Sequence, residues 1–155
     1  MLRVGMRFSL QVQYAICGVF DIAYNSHGER VSIQTISDRQ EIPARYLEQI
    51  FQRLRRGDIV TSKRGPGGGY GLSRDPAQIN LREIVEAVEG PLSDALKMGQ
   101  RELDQPVPSR PDFLWGGLAR RLAEALEEVT LEMLCREAAE VDVPRSESDG
   151  PMYFI

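Results

Sequence analysis

Two adjacent cations, Lys63 and Arg64, stand directly before the segment Gly65-Pro66-Gly67-Gly68-Gly69, and a helix-patterned stretch with Arg45, Tyr46, Glu48, Gln49 and Arg53 lies just ahead of them. Glycine removes the Cβ that would hold a backbone away from a phosphate, so cations at such a tip can reach a phosphate chain or enter a minor groove. Gly67, Gly68 and Tyr70 belong to the same candidate contact. On the helical stretch, Glu48 can accept a hydrogen bond from cytosine N4 and Gln49 can pair with adenine. These residue types suit recognition of duplex DNA. Catalytic chemistry finds no comparable set. The single histidine, His27, falls in a turn sequence, so no Ser/His/Asp or Cys/His constellation can be drawn. The glycine run lacks the G-x-G-x-x-G register, and no Gly-Lys-Ser/Thr follows it. Glu127 and Glu128 fall on a polar helix face, as solvent contacts. An enzyme is not expected.

The elements that must hold these groups are readable from period and caps. Tyr46, Leu47, Ile50, Phe51 and Leu54 recur at one, three and four, which predicts a helix from Pro43 to Arg56 with one apolar face. Pro43 suits its first turn, and Gly57 is expected to end it in a positive-φ conformation. Ser32, itself a candidate DNA contact, caps a shorter helix from Ile33 to Gln40, and Glu41-Ile42-Pro43 is the turn between the two. Ile59 to Ser62 and Tyr70 to Leu72 read as the strands of a hairpin, which Asp75-Pro76 closes. Asn80-Leu81-Arg82-Glu83 is a capping box opening a helix to about Glu89, and Gly90-Pro91 stops it. Ahead of all this, Ser9 caps a first helix to about Tyr24, expected to bury Leu10, Tyr14, Ile16, Cys17, Phe20 and Ala23. The fold class is mainly α with a small β-hairpin wing, a winged helix-turn-helix over residues 1–90.

Residues 91–111 have the composition of a loop, with prolines at 106, 108 and 111. A long helix is expected within 112–140, its stripe made by Trp115, Leu118, Leu122, Leu126, Val129 and Met133. Such a stripe on a late helix has little left to pack on in a small domain, so a dimer seam is expected. Thr130 can cap a last turn or a separate short helix. Residues 141–155 read as a flexible tail, rich in charge, serine, glycine and proline, that ends in four large apolar residues, Met152, Tyr153, Phe154 and Ile155.

The chain of 155 residues has a net charge of −4, which taken whole argues against a nucleic-acid partner. The distribution reverses that argument. Residues 1–74 carry 11 Lys+Arg against 6 Asp+Glu, and residues 75–155 carry 8 against 17, so the basic half coincides with the candidate DNA reader. Nothing resembles a signal peptide or a span of roughly 20 apolar residues, so a cytoplasmic protein with no membrane partner is expected. Cys17 and Cys135 are far apart in helical contexts and do not make a disulfide framework.

Tyr14-Ala15, the run YLEQIFQRLRRGDIV from Tyr46, the wing RGPGGGYGL from Arg64, Ile84-Val85 and the late Leu114-Trp115 with TLEML from Thr130 together resemble the Rrf2 family of bacterial transcription regulators, the group containing IscR, NsrR and CymR. The likeness covers most of Met6 to Leu134. Met6-Arg7 stands where family members begin, which marks Met1 or Met6 as the true start. The resemblance implies sequence-specific binding of double-stranded DNA by a homodimer. Cluster-binding members hold an iron–sulfur cluster with three cysteines after the fourth helix, often with a histidine just before the Leu-Trp pair. This chain has no cysteine between Leu92 and Pro111, has Asp112 where that histidine would stand, and has Gln13 where NsrR-type members place an acidic ligand. No cofactor and no metal are therefore expected.

Among branches, the chain is most similar to the cluster-free CymR group, whose members end in an aromatic-rich sequence with a final isoleucine. That implies a repressor of cysteine and sulfur metabolism genes acting with cysteine synthase (O-acetylserine sulfhydrylase). The tail carboxylate would occupy the enzyme's substrate-carboxylate site, with Phe154 and Ile155 in apolar subsites, so that O-acetylserine competes with the tail. Three other readings stay open: a regulator that senses redox state through its thiols, a cluster sensor with unusual ligands, and an interaction module that acts on an enzyme through its tail.

Overall fold

The computed structural model describes residues 8–95, 108–111 and 113–146. Among the described residues seven α-helices and one hairpin run in the order α1 (Leu10–Asn25), α2 (Ile33–Gln40), α3 (Ala44–Arg56), β1 (Val60–Lys63), β2 (Gly69–Leu72), α4 (Leu81–Glu89), α5 (Leu92–Ala95), α6 (Phe113–Glu127) and α7 (Leu131–Glu140), with a 3-10 turn at Pro76–Gln78 before α4. This is the expected winged helix-turn-helix.

Caps set most of the boundaries. Ser9, Ser32 and Asn80 each accept from a backbone N–H of the following first turn, and Asn80 and Glu83 close the expected capping box. Two endings differ from expectation. Pro43 precedes α3 as its cap rather than lying in its first turn. Gly57 has φ −81°, and the left-handed position is taken by Asp58 at φ 58°. Ile59 N–H donates to Leu54 and Asp58 N–H to Arg55, which is a Schellman ending with an aspartate where glycine is usual. Glycine is needed at 57 for another reason: a Cβ there would sit 2.8 Å from the Cβ of Ala87, so α3 and α4 could not approach.

The buried stripe of α1 also differs. Val12, Ala15, Val19 and Ile22 face the core, while Leu10 is 57% exposed; Tyr14, Ile16, Cys17 and Ala23 only flank the core, and Phe20 stacks on Tyr24 at 5.0 Å. The segment is apolar on almost every side, so composition did not single out one face. Phe51 of α3 crosses α1 at Gly18, where a Cβ would lie 2.7 Å from its ring. Around that crossing Ile36, Leu47, Leu54, Ile59, Ile84 and Leu131 are fully buried, so every element of the DNA-reading half and α7 shares one core.

Asp21 is completely buried on α1 and accepts from Arg39 Nη2 at 2.7 Å, Gln40 Nε2 at 2.9 Å and Asn25 Nδ2 at 3.1 Å. The long helix expected within 112–140 is two helices, with Thr130 capping the separate short one, the second of its two readings. Leu81 N–H donates to Val129 and Leu131 N–H to Ile79, pinning the chain at 129–131, and Thr130 then caps α7 as a separate helix of 10 residues. Among the described residues no helix is long and apolar enough to cross a membrane.

Candidate nucleic-acid interface

Helix α3 buries Leu47, Ile50, Phe51 and Leu54, and at about 100° per residue the opposite face presents Arg45, Gln49, Gln52 and Arg56. Arg45, Tyr46, Glu48 and Gln49 are exposed in its first turns. The Arg45 guanidinium lies 4.8 Å from the Tyr46 ring centroid and donates to its hydroxyl at 3.0 Å, so the two form one polar unit. Arg53 is placed elsewhere: it turns to α1 and α4, donating to Gln11 Oε1 at 2.6 Å and to the Val88 carbonyl at 3.3 Å. It braces the helix rather than extending from it. Ser32 is exposed at the start of α2, its hydroxyl bound to Thr35 N–H and 2.9 Å from the Thr35 hydroxyl.

The hairpin pairs Val60 with Leu72 through Lys63 with Gly69 in antiparallel register. Lys63 and Arg64 are exposed at its end, and neither has a hydrogen-bond or ion-pair partner among the described residues. Gly67 has φ 69° and lies in the tip with Gly68, where a Cβ would meet the Lys63 carbonyl at 2.4 Å. Tyr70 packs inward, its ring edge-on to Phe51 at 4.9 Å, which couples the wing to the recognition helix.

Sequence reading missed how the wing is held. Val31 and Tyr70 exchange two backbone hydrogen bonds, of 2.7 and 2.8 Å, adding a one-residue third strand on the far edge of β2. Arg30 reaches across it to Thr61 Oγ1 at 3.3 Å, and Arg55 at the end of α3 donates to Ser62 Oγ at 3.1 Å. Alternation along β1 sends Thr61 and Ser62 to opposite faces, so the two arginines grip the wing from both sides. At its base Arg74 donates to the Asp58 carbonyl at 2.8 Å and to Glu83 at 2.6 Å. Alternating hydroxyls on β1 with arginines flanking the hairpin were the available signal.

The stripe read as a dimer seam is divided. Leu122 and Leu126 pack against the protein's own core, Val129 lies in the pinned junction, and Met133 is half-buried on α7. Phe113, Leu114 and Leu118 are exposed, at 86%, 43% and 41%, with Trp115 half-buried beside them. Arg82 ties α4 to Glu127 of α6 at 3.0 Å. The tail read as flexible from residue 141 is held in its first part: Tyr24 donates to the Val143 carbonyl at 2.8 Å, Arg145 covers the Tyr24 ring at 4.4 Å, and Ser146 N–H donates to Asn25 Oδ1 at 2.8 Å. Met152 to Ile155 lie outside the described residues, as do Met6 and Asp112.

Against known proteins, residues 8–137 match the family described as Rrf2, iron-dependent transcriptional regulator. The transcriptional regulator IscR of Xenorhabdus nematophila is 35% identical over 145 residues, covering 93% of this chain and 88% of that protein. Among solved structures, IscR of T. potens superposes with a TM-score of 0.70 at 28% identity, over 92% of this chain and 95% of that one. CymR, described as the global cysteine regulator of B. subtilis, superposes with a TM-score of 0.68 at 27% identity, over 86% and 98%.

The family description implies iron, and the residues present do not fit it. Ligation of an iron–sulfur cluster needs several thiolates or imidazoles converging on the metal. Among the described residues no three His, Cys, Asp or Glu side chains converge to hold a metal ion. Cys17 and Cys135 sit on separate helices, both half-buried, and burial pushes both thiols above their ordinary range; for Cys135 Arg145 opposes that rise and Glu132 adds to it. The stretch 96–107 contains neither cysteine nor histidine.

Proposed function

This chain belongs to the Rrf2 family of DNA-binding transcriptional regulators, and from that premise we propose that it is a cluster-free, homodimeric repressor of cysteine and sulfur metabolism genes, with cysteine synthase as the partner of its C-terminal tail. The observation that supports the cluster-free part is the donor set: two half-buried, separated thiols and one exposed histidine, with no converging group of ligands among the described residues. Likeness to the B. subtilis cysteine regulator and the apolar ending Met152-Tyr153-Phe154-Ile155 support the metabolic assignment.

Binding follows from the geometry. α3 enters the major groove with Arg45, Glu48 and Gln49 toward base edges, while Lys63 and Arg64 take phosphate or minor-groove positions one wing length away. Tyr46 stiffens Arg45, and Tyr70 carries the wing on Phe51. The exposed Phe113, Leu114 and Leu118 supply the apolar surface of the dimer, which sets two half-sites in a roughly palindromic operator. With cysteine plentiful and O-acetylserine scarce, the enzyme's pocket is free to hold the tail, and the complex represses.

The test is calorimetric titration of the full chain, and of a chain ending at Pro151, into cysteine synthase with and without O-acetylserine. Tail-dependent binding abolished by O-acetylserine is expected. No binding would remove the enzyme partner while leaving the DNA-binding assignment standing.

A further inference from the structure

The segment 143–146 ends on a buried polar chain that leads into the helix-turn-helix. Ser146 N–H donates to Asn25 Oδ1 at 2.8 Å, Asn25 Nδ2 donates to Asp21 Oδ1 at 3.1 Å, and Asp21 accepts from Arg39 and Gln40 of α2 at 2.7 and 2.9 Å. Asp21 is 0% exposed and Asn25 7%. One residue earlier on α1, Tyr24 Oη donates to the Val143 carbonyl at 2.8 Å beneath the Arg145 guanidinium.

We propose that Asn25 is a positioning residue through which residues 143–146 act as a strap holding α2, and so the helix-turn-helix, in its DNA-binding arrangement. An asparagine amide in a buried site is oriented by what it accepts as well as by what it donates. With Ser146 N–H in place, Oδ1 is satisfied and Nδ2 is directed at Asp21. Without it, Oδ1 loses its buried donor and the amide is free to turn, so Asp21 loses one of the three donors that fix it. The attachment of α2 has little redundancy. Of its two side chains that bind Asp21, Arg39 and Gln40, only Arg39 is charged, and its Nε is buried with no hydrogen-bond partner among the described residues. Ile36 is the one fully buried residue of α2, so polar contacts carry much of its placement. A helix that samples other positions must be ordered when DNA binds, and that lowers affinity. The strap is also the stretch of chain leading to residues 147–155, so a partner gripping those residues pulls on it. The proposal rests on the DNA-binding reading and is independent of which partner takes the tail.

The test compares four full-length or truncated proteins on one operator fragment. Tyr24→Phe combined with Ser146→Pro deletes two of the three hydrogen bonds between the strap and α1, leaving that of Arg145 to the Tyr24 carbonyl; a chain ending at Asp142 removes the strap, and a chain ending at Ser146 keeps it. The first two variants should lose about 3- to 10-fold in DNA affinity, the scale of one net hydrogen bond, and their α2 amides should exchange hydrogen faster at a temperature where all four remain folded. The chain ending at Ser146 should match the full-length protein in both readouts. Unchanged affinity and unchanged α2 exchange in the first two variants would overturn the proposal, as would a full loss in the chain ending at Ser146. Should the full-length protein bind no DNA, the DNA reading fails, while α2 exchange still decides the strap.

Discussion

Arg64 and Glu48 act on different parts of a duplex, and substituting each should leave a different trace. Arg64 is exposed at the wing end with no partner among the described residues, so Arg64→Ala should weaken binding to every sequence and lower the salt slope by about 1. Glu48→Ala should instead relax preference at one base position, read by competition with single-base operator variants. Identical loss on all sequences in both would contradict the division. Asp21 is a structural counterpart: Asp21→Ala leaves Arg39, only 19% exposed, without its carboxylate, and should cost about 3–5 kcal/mol in denaturant unfolding. The two thiols bear on pH. Their folded values are raised by burial, so the stability gained from keeping them neutral is complete below about pH 8.5 and is lost as pH rises through the folded values. A lower Tm at pH 10 than at pH 8, with slow alkylation of both at neutral pH, is expected. That combination also weighs against a redox sensor, which needs an accessible thiolate.

Elements show which signals a sequence carries and which it does not. Ser9, Ser32, Thr130 and the Asn80–Glu83 box each marked a helix start because capping is local chemistry, settled within three residues. The apolar face of α3 was legible for a similar reason: its polar and apolar residues alternate cleanly at helical spacing. In α1 apolar residues occur on all sides, and only contact with α3 and α4 selects Val12, Ala15, Val19 and Ile22. Two candidate site residues, Arg53 and Tyr70, have the types that suit DNA, and their orientation depends on partners distant in sequence, Val88 and Phe51. Arg30 escaped notice because its role exists only once Thr61 lies beside it. Gly57 was read for its backbone and is needed for its missing Cβ. Gly57→Ala should therefore destabilise by about 1–3 kcal/mol through overlap with Ala87, measured by thermal or urea unfolding. Gly69→Ala should do more damage to DNA binding than to stability: at φ 129° its Cβ would lie 2.5 Å from the Val31 carbonyl, which would push the wing off its bridge to Val31.

For the whole molecule, charge is partitioned between a basic DNA-reading half and an acidic C-terminal half, and the exposed apolar residues of α6 lie in the latter. If those residues form the dimer, Leu118→Glu should shift sedimentation toward monomer and remove the affinity advantage of a two-half-site operator over a single half-site. Retention of the dimer would place the seam elsewhere. The central claim is that this chain reads DNA without iron. Fluorescence anisotropy of the chelator-treated full-length protein, titrated with operator-containing and scrambled fragments at fixed salt, tests it most directly. The account predicts preferential binding to the operator with no visible absorbance from the protein. Discrimination that appears only after iron–sulfur reconstitution would contradict it.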